Sequence, residues 1–396
     1  MGKLLQCLSL GLFSLLPALA TPTASVKHCV QLDVPVTVSA NNTRFDTPRV
    51  DSTIDAVGWI WDTYTWSRQN RTRGPVIPIH RTFTIAAELC VPSQGKKAHI
   101  LQLATHGALY DKRYWDVQVK PQEYSYVDAA IRQGYSILTY DRLGNGGSTK
   151  PDGYDVVQLP TEVEILKELT NLARSGKLVK SSKIKGRGSP SSLVRNYKPS
   201  KIVHVGHSFG SFTTAELLKS YGKISDGAIL TGYVIVTNPN VPRTQASTFG
   251  YEFARENDPE RFADRGSGYI VQGTESSVQQ IFLGKGDWFE PELLKYSEKV
   301  KQTSTVGEML SATLVGGGAA QSFTGPIQFF VGEYDFPICG GDCKNSYDIK
   351  VIEDLYPKAA HRAVYLQPDT GHGLTVSKNA TAGYQAMFSY LEAHGL

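Results

Sequence analysis

Residues 201–211 read K-I-V-H-V-G-H-S-F-G-S, and this run restricts the fold more than any other in the chain. Its first half is apolar and β-branched through Ile202, Val203 and Val205, the composition of a strand buried on both faces of a parallel sheet. Its second half is G-x-S-x-G, with Gly206, Ser208 and Gly210. Residues 212–221 then carry apolar side chains at helical spacing and stop at Gly222. Strand, sharp turn with serine, then helix is the setting in which a serine hydroxyl stands exposed at the top of a sheet. The glycines follow from crowding: side chains two residues before and after the serine would meet the neighbouring strand and helix. The backbone N–H of Phe209 then faces the space where a negative oxygen would develop.

The rest of the chain supplies a sheet for that strand. Strand-like runs cover residues 26–38, 82–91, 99–104, 135–140, 228–236, 325–331 and 362–366. Helical spacing falls between several of them, at 121–132, from Thr161 to Gly176, and at 381–393. Thr161 with Glu164 three residues on has the form of a capping box. This alternation predicts an α/β protein with a mostly parallel, doubly wound sheet. Residues 238–316 break the pattern with charge, glycine and a helical piece at 291–301, and read as an insertion. Phe249, Tyr251, Phe253, Tyr269, Phe282, Trp288 and Phe289 are its aromatic stock. The segment 46–78, with Trp59, Trp61, Tyr64 and Trp66, has no clean period and is expected either to pack over a sheet edge or to line a pocket, packing being the commoner use of such aromatics.

The 396 residues are 41% hydrophobic and 20% charged, enough for one large domain with an insertion. A net charge of +4 is too mild for a nucleic-acid footprint, so no nucleic-acid partner is expected. Much of the basic excess lies in residues 180–200, among Ser, Gly and Pro, and reads as a solvated loop. Lys3, the apolar run at residues 4–16 and Ala18-Leu19-Ala20 have the form of a secretory leader, cleaved after Ala20. The apolar run is shorter than the ~20 residues a membrane span needs, so no stable membrane insertion is expected. Of five cysteines, Cys7 leaves with the leader. Cys29, Cys90, Cys339 and Cys343 then meet an oxidising compartment, where they allow three pairings. The preferred one is Cys29–Cys90, tying two early strands, with Cys339–Cys343 closing a small loop. No histidine stands at ligand spacing from them, so no metal is expected. Asn41, Asn70 and Asn379 head glycosylation sequons.

A serine hydroxyl needs a base to take its proton, and the base needs an orienting acid. In a strand–turn–helix serine site these follow in the order acid, then histidine, on loops after later strands. His372, in D-T-G-H-G, follows the last strand, and Gly371 and Gly373 leave the imidazole room to reach Ser208. Asp335 follows the strand before it and is preferred over Glu333, Asp342 and Asp369 as the acid. The expected oxyanion donors are the N–H groups of Phe209 and of Ala108, the latter in the turn Thr105-His106-Gly107-Ala108. His106 reads as a residue stabilising that turn. Tyr114 and Trp115 are expected at the floor of the substrate pocket, beside Tyr110.

The ordered set ATHGA, YDRLGNGGS, VGHSFGS, VGEYD with CGGDC, and DTGHG resembles the α/β-hydrolase superfamily, over roughly residues 80–240 and 320–390. The leader and the DRLG wording are similar to those of secreted members from filamentous fungi. The resemblance implies an α/β-hydrolase fold with an eight-stranded sheet and an inserted lid. The expected division is leader 1–20, core 21–240 and 317–396, and lid 241–316. It also implies hydrolysis of a small ester, lactone or thioester through an acyl-serine, with no metal or organic cofactor. Members that use an aspartate nucleophile, the dehalogenases and epoxide hydrolases, are set aside by Ser208. Two other readings keep the fold: a biosynthetic acyltransferase, cyclase or lyase using the same site, and a binding protein that has lost catalysis.

Overall fold

The computed structural model describes residues 27–64, 73–186, 189–233, 250–312 and 318–396. The leader, Asn70 and residues 241–249 and 313–316 of the expected lid lie outside them. The chain begins with two long antiparallel strands, β1 (Lys27–Phe45) and β2 (Arg73–Pro92). Along β1 the side chains of Val30, Leu32, Val34, Val36 and Val38 are buried and the intervening ones are more open, the period-two pattern of a strand covered on one face. Cys29 stands opposite Cys90 in this ladder and the two are joined, as are Cys339 and Cys343.

The parallel strands follow: β3 (Ile100–Thr105), β4 (Ser136–Tyr140), β6 (Lys201–His207), β7 (Gly227–Thr231), β11 (Ile327–Gly332) and β12 (Arg362–Gln367). With the short edge strand β5 (Lys183–Lys185), the sheet order is β12-β11-β7-β6-β3-β4-β2-β1-β5, parallel from β12 to β4 and antiparallel beyond. β3 is buried at all six positions, with Ile100 and Ala104 in one core cluster and Leu101 and Leu103 in the other. Such a strand is covered on both faces, which a parallel sheet requires. β6 lies in the middle, so the turn after it opens at the centre of the sheet's C-terminal edge. This is the mostly parallel α/β sheet that the alternation of strands and helices predicts.

The structure departs from the sequence reading in four places. The sheet has nine strands among the described residues, because Lys183–Lys185 of the basic loop forms the edge strand β5 against β1, with Lys185 paired to Asp33 at 2.8 Å. The helix expected from Thr161 starts at Leu159, with Gln158 at its N-cap and Pro160 in its first turn. The Thr161 hydroxyl instead meets the side chain of Asn42 on β1. The 121–132 helix is broken at Ser125, whose hydroxyl caps the second piece, Tyr126–Arg132. The aromatic segment contains the helix Thr53–Tyr64, which buries Trp59 and leaves Trp61 65% exposed.

Between β7 and β11 the chain builds a second, three-stranded sheet from β8 (Tyr251–Phe253), β9 (Tyr269–Gln272) and β10 (Ser304–Thr305). The helices Pro291–Val300 and Val306–Ala312 complete this insertion. No helix among the described residues is long and apolar enough to cross a membrane.

Candidate active site

Ser208 follows β6 with φ +52° and ψ −117°, a backbone conformation costly for any residue with a side chain. It is locked by its N–H to the Thr231 carbonyl at 2.8 Å, and its own carbonyl accepts from Ser211 and Phe212. A Cβ on Gly206 would lie 2.6 Å from the Gly210 carbonyl oxygen, and one on Gly210 2.2 Å from that of Thr105. The glycines of G-x-S-x-G are therefore fixed by backbone contact with the helix and with β3. Ser208 heads the helix Phe209–Tyr221, whose free N–H groups and dipole favour negative charge there. No described residue bonds to its hydroxyl, which faces a partly open space.

His372 and Asp335 are brought together as the sequence predicts. His372 Nδ1 donates to Asp335 Oδ2 at 2.6 Å, with 2% and 0% of the two side chains exposed. Asp335 Oδ1 accepts from the Ile338 N–H, so both carboxylate oxygens are used. The Cys339–Cys343 loop folds back on this residue, with the N–H groups of Cys339 and Gly341 both donating to the Asp335 carbonyl. Glu333 pairs with Lys344 instead, and Asp342 lies in an exposed turn. The His372 ring stands 4.7 Å from that of His207, the residue before Ser208. Ser208 makes no hydrogen bond to the imidazole here; such contacts commonly tighten only around a substrate.

Three histidines crowd this edge, and their surroundings separate them. His207 donates from Nδ1 to Thr231 Oγ1, since that hydroxyl is spent on the Gly206 carbonyl. Burial, and then the neighbouring His372, hold His207 well below the usual histidine pKa. His106 is likewise held well below it, by burial and by Arg142. Only His372 has a carboxylate partner. It is the one placed to carry a proton.

The glycines beside His372 have a different cause from the expected one. The backbone of the insertion runs across them: Gly373 N–H donates to the Phe282 carbonyl at 2.6 Å, and a Cβ on Gly371 would lie 3.1 Å from the Phe282 and Leu283 carbonyl oxygens. The Phe282 ring stacks on the imidazole at 5.8 Å. Phe282 meets Tyr110 at 4.8 Å, Tyr110 meets Tyr114 at 5.5 Å, and Tyr114 stacks on His207 at 4.3 Å. The His372 imidazole thus stands in a closed ring of aromatic side chains. Tyr114 and Trp115, expected at a pocket floor, are each 1% exposed and form the wall behind His207. An open cavity of about 590 Å³ lies beside the acid loop, lined in part by Lys285, Phe336 and the stacked pair Trp288 and Tyr334.

Phe209 and Ala108 flank the serine, and no described acceptor takes the N–H of either. A Cβ on Gly107 would lie 2.9 Å from Ser208 Cβ, so the 106–108 turn rests directly on the serine. Together these groups can activate a hydroxyl, carry its proton and receive a developing oxyanion. Sequence reading missed His207 and the buried Arg142, which was visible only as part of the glycine-rich DRLG loop; it named Phe282 among the insertion's aromatics without its place against His372. Of the sequon residues, Asn41 is exposed, and Asn379 is half-buried with its side chain on the Pro368 carbonyl.

Residues 103–382 match the model of the Alpha/beta hydrolase family. Among solved structures, the chain is similar to VrEH2 at 15% identity, over 78% of this chain and 96% of that one, with a TM-score of 0.50. It is also similar to a thermophilic esterase from Thermogutta terrifontis at 15% identity, over 80% and 95%, with a TM-score of 0.48. An epoxide hydrolase variant from Vigna radiata matches at 14% identity, over 78% and 96%, with a TM-score of 0.49. No curated protein matches by sequence.

Proposed function

The chain belongs to the alpha/beta hydrolase family, and from that premise we propose that it is a secreted serine hydrolase cleaving a carboxylic ester, lactone or thioester through an acyl-serine. The observation that carries this reading is the buried Asp335–His372 pair beside a serine held on a left-handed turn at a helix N-terminus. Ser208 Oγ attacks the substrate carbonyl while His372 Nε2, the nitrogen left free by Asp335, takes its proton. Asp335 fixes the imidazole tautomer and stabilises the imidazolium. The N–H groups of Phe209 and Ala108 receive the tetrahedral oxygen, each contributing on the order of 3–4 kcal/mol to lowering the barrier. Collapse of the adduct expels the alcohol or thiol, which takes the proton from His372. Water then attacks the acyl-serine with His372 again as base.

In this reading residues 241–316 are a lid over the core formed by 21–240 and 317–396, and the Phe282 contact seats it on the base. Lids of this kind exclude water from the reacting carbonyl. Secretion is supported by the leader motif at residues 1–20 and by the two disulfides, which persist in oxidising compartments.

The test is turnover of short-chain p-nitrophenyl esters by the purified mature protein, with fluorophosphonate labelling and peptide mapping. Label on Ser208, and a fall in kcat of at least ~10⁴-fold in Ser208→Ala, are expected. Turnover surviving within a few fold in that variant overturns the reading.

A further inference from the structure

Arg142 is fully buried in the loop after β4, on the side of the serine turn opposite His372. Its two ends touch two different parts of the site. At the backbone, the Arg142 N–H donates to His106 Nε2 at 2.9 Å. The proton of that neutral imidazole therefore sits on Nδ1, which donates to the Gly107 carbonyl at 2.7 Å. The peptide between Gly107 and Ala108 is trans, so drawing the carbonyl toward His106 turns the Ala108 N–H the opposite way. Gly107 rests on Ser208, which puts this peptide at the nucleophile. At the other end, the guanidinium lies over the Phe209 ring at 4.4 Å, pinning the first residue of the helix that follows Ser208.

We propose that Arg142 is the positioning residue of the oxyanion hole, setting the Ala108 donor through His106 and the Phe209 donor through its stacked guanidinium. The proposal rests on the serine-hydrolase reading above. The guanidinium is itself held from two sides. Glu162, on the helix Leu159–Arg174, accepts from Nη1 at 2.8 Å, and Glu308, on the insertion helix Val306–Ala312, accepts from Nη2. Seating of the insertion is thereby connected to the Phe209 donor through one side chain, 166 residues from Glu308 in sequence, while the Ala108 donor is set by the main-chain N–H of the same residue. His106, kept neutral by burial and by Arg142, holds its tautomer, so the chain of bonds persists across ordinary pH. Arg142 touches no reacting atom, and its effect should be confined to the transition state.

The experiment measures kcat and KM on a short-chain p-nitrophenyl ester together with Ki for an alkyl trifluoromethyl ketone, whose adduct with serine carries the oxyanion. Arg142→Met and His106→Ala are compared with Arg142→Lys, which keeps the charge, and His106→Asn, which keeps a donor toward Gly107. Expected for Arg142→Met and His106→Ala is a loss of about 10²-fold in kcat, a parallel rise in Ki, and KM within about threefold. The conservative partners should recover most of the loss. If Arg142→Met does not fold, Arg142→Gln, which keeps donors toward the two acids but no charge over the Phe209 ring, decides the guanidinium arm, and the His106 pair decides the main-chain arm. A rise in KM in place of the fall in kcat, or an unchanged Ki in folded variants, overturns the proposal. The two readings fail separately: an active Ser208→Ala sinks the serine mechanism, while an inactive one beside fully active Arg142 and His106 variants sinks only the positioning role.

Discussion

Two buried clusters of charge flank the serine turn, and they are built by opposite rules. On one side Asp335 meets His372, one acid for one base, with every carboxylate oxygen used and the ring packed between His207 and Phe282. On the other side Arg142 meets two acids, Glu162 and Glu308, all at most 2% exposed. There is one carboxyl too many. Burial, outweighing the Arg142 guanidinium, pushes Glu162 up to about 8, which favours a proton on this cluster. The matched pair is suited to move a proton during turnover, while the mismatched trio is suited to hold shape. The difference lies in stoichiometry and neighbours: the first pair is matched and adjoins the residue before Ser208, the second carries an extra carboxyl and adjoins Phe209.

Substitutions can break that contrast, beginning with the strongest effect. Asp335→Asn keeps an oxygen for the Ile338 N–H but offers His372 the wrong partner. It should lower kcat by about 10⁴-fold while Tm in a calorimetric scan moves little. If kcat holds and only stability falls, the first cluster is structural like the second. Phe282→Ala removes the stacked face from His372 but leaves the backbone bond to Gly373. It should cost about 3 kcal/mol of stability in urea denaturation. Loss of ring orientation should also reduce kcat by roughly tenfold. An unaltered kcat at the reduced stability would show that the insertion only covers the base. Glu162→Gln should be nearly silent in kcat. Its signature is in pH dependence: Glu162 has a folded pKa above its unfolded value of about 4.5, so the folded state binds the extra proton and wild-type stability declines as pH rises from about 4.5 to about 8. The Gln variant should lack that decline, read as the difference in Tm between the two proteins across pH 5–8. Parallel profiles would mean that Glu162 is ionised throughout and the trio is not mismatched.

How much of this was legible depended on distance along the chain. The serine turn was readable because Gly206 and Gly210 are fixed by contacts that a strand–turn–helix unit always makes. The Cys29–Cys90 pair followed from two adjacent strands, and the structure puts them in direct register. Thr161 went the other way. Its spacing to Glu164 satisfies a local rule, but the hydroxyl is taken by Asn42, 119 residues away. The basic loop misled for a similar reason: its three strand residues are exposed and acquire their shape only from the free edge of β1. Gly371 and Gly373 were noticed as glycines and given the wrong neighbour, because the backbone crossing them belongs to the insertion.

The sequence by itself determined the order of the parts: a serine on a glycine-bounded turn after a buried strand, then an aspartate, then a histidine, each at a strand end. Those features are written locally, in patterns of two to ten residues whose backbone geometry admits few alternatives. Only the tertiary structure decided that both oxygens of Asp335 are taken, that Phe282 stacks on His372, and that Arg142 stands between Phe209 and two acids. These depend on solvent exclusion and on contacts between segments scores of residues apart, and no local pattern encodes a partner that the chain must fold to meet.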